Sequence, residues 1–314
     1  MGPFLIPIIT LFNKTLGEFT NPEITRVYHF FHHSKSMALF KRANGVFFIL
    51  FQVWVGFYLW QHHLSIINFA LFAYSIIILT SNCSISLAHD LMHSSNKFDR
   101  FCTSCLLLMN GFFYLEADHV YIHHRFVGTP NDPASAKINE GLYPYLLRSI
   151  SGRMRIIFGM DNSFPPVQKK KIVEGNMLRL FICIAYLCIA FIISFQFFLC
   201  VCLQYIFVTL IYEVITYIQH YGLTRSSLAT RPYQKIGLHH SWNCYYKLSA
   251  YLHFMMPVHS IHHVGREPEL QKLENTGPAY PRPFSQMVVL ALLPPLWFKY
   301  MNPRVKEVLK TQFA

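Results

Sequence analysis

Residues 44–88 contain no Lys, Arg, Asp or Glu, and residues 178–219 are charged only at Arg179 and Glu213. A helix needs about 20 apolar residues to cross a bilayer, so each stretch is long enough for two crossings. The first is interrupted at Gln61-His62-His63 and the second, weakly, at Ser194–Gln196. Four spans are expected, at about 44–60, 64–88, 178–196 and 197–219, paired as two helical hairpins. Composition agrees: 53% of the 314 residues are hydrophobic and 13% charged, where a soluble domain carries about 25% charged residues.

The charge pattern orients these spans. All 27 Lys and Arg lie in 14–43, in 94–179 or after 221, and none lies in either turn. Basic segments favour the cytoplasmic side, so both turns are expected outside and the net charge of +12 faces anionic membrane lipid. No recognition motif accompanies that charge, so nucleic acid is not an expected partner. Residues 101–116 and 286–298 are apolar but short; they read as interfacial segments, the second broken by Pro294-Pro295. Pro3–Phe12 is apolar, too short to span and without a basic leader, so it reads as a partial helix and not as a signal peptide. No internal repeat or linker divides the chain, and 1–314 is expected to be one membrane-embedded domain. The fold class is therefore an all-α integral membrane protein. It has about four full transmembrane helices in two hairpins, an N-terminal partial helix and a histidine-rich cytoplasmic cap.

Nine of the 17 histidines fall in four tight groups: His89 and His93; His119, His123 and His124; His220; and His259, His262 and His263. Spacings of three and four put side chains on one helix face, and neutral imidazole is the commonest side-chain metal ligand. Isolated core histidines do not recur this way at the ends of spans. HDLMH has the outline of the HExxH zinc motif, but a zinc protease has no use for six further clustered histidines. Nine nitrogens suit two ions of higher coordination number with open positions, as in non-haem iron and oxygen chemistry. Haem, with one or two axial ligands, fits less well. Polar stripes lead to two of the groups: Asn82, Ser86, His89 and His93 on one helix, and Thr209, Glu213, Thr216 and His220 on another. Glu213 stands out, because an ionisable group within a span is usually functional. The eight cysteines read as buried or lipid-facing small hydrophobes. Cys102-x2-Cys105 is a lone pair, short of the two pairs that a rubredoxin-type iron site needs.

Five stretches carry a resemblance: AHDLMH (88–93), DHVYIHHRFVGTPNDPASA (118–136), YIQHYGLTR (217–225), HHSWN (239–243) and HSIHH (259–263). From about Gly17 to Pro303 the chain resembles the membrane-bound alkane monooxygenases, within the wider fatty-acid desaturase and hydroxylase superfamily. The resemblance implies a non-haem diiron centre held by the nine histidines, with O2 as co-substrate. It implies terminal hydroxylation of an alkane or other aliphatic chain that enters from the bilayer. Electrons would come from a separate rubredoxin or ferredoxin-type donor with its NAD(P)H reductase. The enzyme would be an integral membrane protein, in the inner membrane if bacterial, with its metal site on the cytoplasmic side. Family members usually have six spans, and Pro3–Phe12 then resembles the tail of a further helix.

The chain departs from the family at several positions. Asp90, Asp118 and Gln219 stand where the family usually has Glu, Ser94 where it has Lys, Val258 where it has Arg, and Ile261 where it has Asp. Gln219 and Ile261 each remove a carboxylate beside a ligand, although such partners normally take the second N–H of a ligating histidine. Glu213 and Asp132 are the candidates to replace them. Asp90, Gln219, His240, Trp242 and Asn243 complete the set expected next to the ligands. Two other readings remain. The same centre in a fatty acid desaturase or 1-alkene-forming decarboxylase calls for a cationic anchor such as Arg125, Arg225 or Lys247. A non-enzymatic metal transporter calls for ligands near the bilayer midplane.

Overall fold

The computed structural model describes residues 11–13, 15–160, 166–227, 233–264 and 277–313. Among these the regular elements are helical, with two isolated bridges, Glu18 to Tyr246 and Asn243 to Ala279. In chain order they are α1 (Asn21–His33), α2 (Lys35–Gln61), α3 (Ile66–Leu91) and α4 (Lys97–Met109). A π-helical turn follows at Asp118–His123, then α5 (Leu142–Ile157), α6 (Pro166–Ile193) and α7 (Phe195–His220). The last are α8 (Lys247–Leu252), α9 (His259–Val264), α10 (Phe284–Ala291) and α11 (Pro294–Phe313). The expected partial helix at Pro3–Phe12 lies outside the described residues, apart from Leu11 and Phe12.

Among the described residues, four helices are long and apolar enough to cross a membrane: α2, α3, Ile172–Ile193 within α6, and α7. These are the four expected spans, with shifted ends. α2 begins at Lys35, well before the apolar stretch, because Ser34 caps it by accepting the Met37 N–H. The charged turn this adds is neutralised: Lys41 pairs with Asp90 at 2.7 Å, and the Arg42 guanidinium donates to both oxygens of Asp99 at 2.7 and 3.3 Å. α3 is capped by Ser65 and contains a π-helical turn at Thr80–Ser84. Ser194 separates α6 from α7. Gln196, in the first turn of α7, uses its amide to satisfy both the N–H (3.0 Å) and the carbonyl (2.7 Å) of Leu64.

The described residues fall into two compact units. The span-rich unit comprises His33–Asp118 and Met154–Tyr212. Its core is built from Val55, Leu59, Ala73, Ile76, Ala190, Phe197, Cys200 and Val201. The outward faces are also apolar: Trp60 is 62% exposed, Ile66 88% and Ile192 80%. A row of such residues is stable against lipid and not against water, so the chain is an integral membrane protein. Inside the unit, Gln52 donates to Gln204 (3.1 Å), Gln204 to Asn110 (2.8 Å) and Asn110 to Ser84 (3.4 Å). All four are buried. Hydrogen bonds of this kind hold helices together where the hydrophobic effect cannot.

Residues 101–116 are not one helix: α4 ends at Met109, and a separate single turn begins at Leu115. The Phe112 N–H donates to Leu107 O and the Gly111 N–H to Leu108 O, with Gly111 at φ +81°. This is a Schellman closure, and it ends α4 short of a span. Residues 286–298 are divided between α10 and α11 rather than forming one helix. The break falls at Leu292-Leu293, because Pro294 opens α11, where its missing N–H has no partner to lose.

The histidine-rich unit comprises Met1–His32, His119–Arg153 and Glu213–Ala314. Its core is aromatic. Tyr217, Tyr221, Trp242 and Trp297 are almost fully buried, and the Trp297 ring lies 5.3 Å from those of both Tyr217 and Tyr221.

At Gly111 a Cβ would sit 2.6 Å from the Tyr205 ring, in a backbone conformation that L side chains avoid. Gly111→Ala is expected to cost about 2–4 kcal/mol. The heat-denaturation midpoint of the detergent-purified protein should fall accordingly, and an unchanged midpoint contradicts this packing.

Candidate metal centre

Three segments of the histidine-rich unit bring seven of the nine histidines together. His119 and His123 lie on the π-helical turn, and His124 follows it directly. The wider i→i+5 turn lets residues four and five apart straddle one face, which is how His123 and His124 both align with His119. His220 ends α7. α9 is short, and its i, i+3, i+4 spacing puts His259, His262 and His263 on one side.

Ligand atoms of His123, His220, His259 and His263 all lie within 4.8 Å of one another, and all four side chains are buried. The His259 Nε2 is 3.1 Å from that of His220 and 2.9 Å from that of His263. The Nε2 atoms of His119, His124 and His262 form a triangle with sides of 2.9, 3.1 and 3.2 Å. Three ring nitrogens facing one point repel as lone pairs or as protons unless a cation lies between them. Around an ion bound at about 2.1 Å, adjacent nitrogens are about 3.0 Å apart in an octahedron and about 3.4 Å apart in a tetrahedron. The triangle therefore fits one face of an octahedral ion, so the donor set suits a metal of coordination number above four. His89 and His93 belong to the span-rich unit. His89 is buried in α3, His93 is exposed just after it, and their rings are 5.9 Å apart.

The second nitrogens of two rings are engaged. The His123 Nδ1 lies 2.9 Å from Asp132 Oδ2, and that of His220 lies 3.4 Å from both the His240 carbonyl and the Ser241 hydroxyl. An Nδ1–H that donates to an oxygen leaves Nε2 as the lone-pair face, the tautomer that a metal needs. Asp132 itself accepts from Ser135 Oγ (2.7 Å) and the Ala134 N–H (3.0 Å). Burial, and then the charge of His259, hold His263 well below the usual imidazole pKa, which keeps it neutral and ready to ligate.

The other expected residues are placed differently. Asp90 faces Lys41 in the span-rich unit. Glu213 accepts from Ser149 Oγ at 2.7 Å and lies 3.1 Å from the Arg153 Nε, with both charges buried. Gln219 reaches the Met256 sulfur at 3.0 Å, and its carbonyl accepts the Trp242 N–H. Trp242 donates its indole N–H to Tyr221 O at 2.9 Å. The His240 Nδ1 accepts the Gly237 N–H at 2.8 Å. Burial, followed by the charges of His239 and Arg225, pushes its pKa down to about 3. Asn243 works on α9: its Oδ1 accepts both the N–H and the hydroxyl of Ser260 at 2.9 Å, while its Nδ2 donates to Pro278 O at 3.1 Å. Ile261, where the family has a carboxylate, is buried.

Several contributors carried no signal of their own in the sequence. Ser135, Ser241 and Ser260 lie inside the motifs but are too common to single out. Tyr145, Ser149 and Arg153 lie in α5, outside every motif. Phe254 and Met255, at φ +50° and +64°, hold the strained turn that leads into α9.

Residues 64–273 match the family model for fatty acid desaturase. The chain belongs to this family. It is 31% identical to alkane 1-monooxygenase 2 of Alcanivorax borkumensis over 229 residues, which cover 71% of this chain and 60% of that protein. It is 26% identical to alkane 1-monooxygenase of Acinetobacter baylyi over 242 residues, covering 71% and 56%. To the hydroxylase component of the xylene/toluene monooxygenase of Pseudomonas putida it is 24% identical over 242 residues, covering 74% and 63%. The matched region thus spans about 60% of the length of these relatives.

Asn243→Ala leaves the buried Ser260 N–H without its acceptor, at a cost of about 2 kcal/mol. Amide exchange in 259–264 should accelerate selectively; unchanged protection there contradicts the assigned role of Asn243.

Proposed function

We propose that the chain is an O2-dependent non-haem diiron monooxygenase that hydroxylates the terminal carbon of an alkane or another aliphatic chain. The observation that carries this reading is the convergence of seven imidazoles as a buried group of four and a triangle of three. His89 and His93 join the ligand set on their sequence pattern, which makes nine nitrogens for two irons and 1–314 one functional domain. The charge distribution supports two hairpins with the histidines on the cytoplasmic side, and 101–116 and 286–298 at the interface.

Two irons bound here would supply the means to cleave O2, put one oxygen atom into a C–H bond and release the other as water. That balance takes two electrons and two protons. The resemblance to the alkane monooxygenases supports a separate rubredoxin or ferredoxin-type donor with its NAD(P)H reductase. The chain's own residues hold the imidazoles in their tautomers: Asp132 fixes His123, and the His240 carbonyl fixes His220. Burial of the four-histidine group keeps water from it.

The residues that would anchor a substrate carboxylate are engaged elsewhere, which favours an uncharged chain over a fatty acid. Arg225 donates to the carbonyls of Gln234, Arg125 and Val127. Lys247 pairs with Glu23 at 3.2 Å, and Arg125 lies over the Phe126 ring.

Vesicles containing the protein, a rubredoxin, its reductase and NADH should convert n-alkanes under 18O2 to primary alcohols labelled in the hydroxyl group. Terminal alkenes from fatty acids would replace hydroxylation by decarboxylation, and failure to consume O2 with any chain would overturn both. Asp132→Asn should weaken iron retention about ten- to a hundredfold in chelator competition, and wild-type retention would remove Asp132 from the site.

A further inference from the structure

α5 carries a polar face where an amphipathic helix would normally carry an apolar one. Tyr145, Arg148, Ser149, Gly152 and Arg153 follow i, i+3, i+4, i+7, i+8 spacing. This face meets the Asp132 turn at three successive carbonyls. Arg148 donates to Pro133 O (3.1 Å) and Ser135 O (3.0 Å), and the Tyr145 hydroxyl donates to Ala134 O (3.1 Å). Gly152 permits the approach, since a Cβ there would sit 3.0 Å from Pro133.

The same face holds the helix that ends in His220. Ser149 and Arg153 engage Glu213, two turns before that ligand. Tyr145 stands between the two contacts: its single hydroxyl proton is shared between Ala134 O at 3.1 Å and, more weakly, Glu213 Oε2 at 3.4 Å. Burial, then the Glu213 charge, hold that hydroxyl far above the ordinary phenol pKa, so it remains a donor. A buried Arg–carboxylate pair gains little stability over apolar packing, which leaves the geometry it imposes as its contribution.

We propose that Tyr145 is a positioning residue. Its hydroxyl ties the turn that carries Asp132, and through it His123, to the α7 segment that carries His220, and so sets the spacing of the buried four-histidine group. This inference rests on the metal reading above. Neither end of the tie touches the ion: Asp132 acts on His123 Nδ1, and Glu213 acts through the helix. The expected effect is therefore on affinity and ligand field, not on the presence of the site.

Cobalt(II) titration of the purified protein, followed by its d–d absorption, tests this. Tyr145→Phe removes only the hydroxyl. It should weaken uptake about tenfold and shift the bands of the bound ion, with a melting midpoint near that of wild type. Tyr143→Phe, which alters an exposed tyrosine on another face of α5, should change neither. Wild-type affinity and bands in Tyr145→Phe would overturn the proposal while leaving the metal centre intact. Should that variant fail to fold, Ser149→Ala loosens Glu213 without touching the Asp132 turn. Weakened uptake with shifted bands in that variant supports the tie, and wild-type affinity and bands overturn it. A wild-type protein that takes up neither cobalt nor iron removes the metal reading, and this inference with it.

Discussion

Imidazole nitrogens held 2.9–3.2 Å apart and facing a common point are an electrostatic liability unless something positive lies between them. The rest of the histidine-rich unit makes sense as the apparatus that tolerates this crowding. The π-helical turn carries His119 and His123 and places His124 directly after them, Asn243 pins the start of α9, and a strained turn at Phe254-Met255 delivers that helix. Asp132 and the His240 carbonyl settle which nitrogen of two rings carries the proton. The crowded nitrogens and the strained turn cost stability, and an ion shared by the nitrogens would offset that cost.

The span-rich unit solves a different problem. Its helices present apolar side chains outward, so lipid supplies no force to hold them together. Close packing does, as where Gly56 meets the Phe197 ring, together with amide hydrogen bonds such as Gln52 to Gln204 and the Gln196 clasp on Leu64. At the start of α2, charge is matched by charge: Lys41 with Asp90, and Arg42 with Asp99.

What could be read from the sequence followed from local physics. The four spans were legible because uncharged runs of that length have one stable use, and the histidine groups because spacings of three and four fix a helix face. Helix ends were less legible. α2 extends through Lys41 and Arg42 only because carboxylates far along the chain meet them, and a Schellman turn at Asn110-Gly111 stops α4 where hydropathy alone gives no boundary. Glu213 stood out as a carboxylate within a span, and Asp132 as a carboxylate inside a histidine motif. Their partners Ser149, Tyr145 and Arg153 did not, since nothing in the order of residues along α5 says which turn or helix its polar face will meet.

Iron K-edge X-ray absorption on the iron-loaded protein tests the account most directly. The account predicts two irons per chain in nitrogen and oxygen shells, with the outer-shell scattering of several imidazole rings. A sulfur shell, or iron without imidazole scattering, would contradict it.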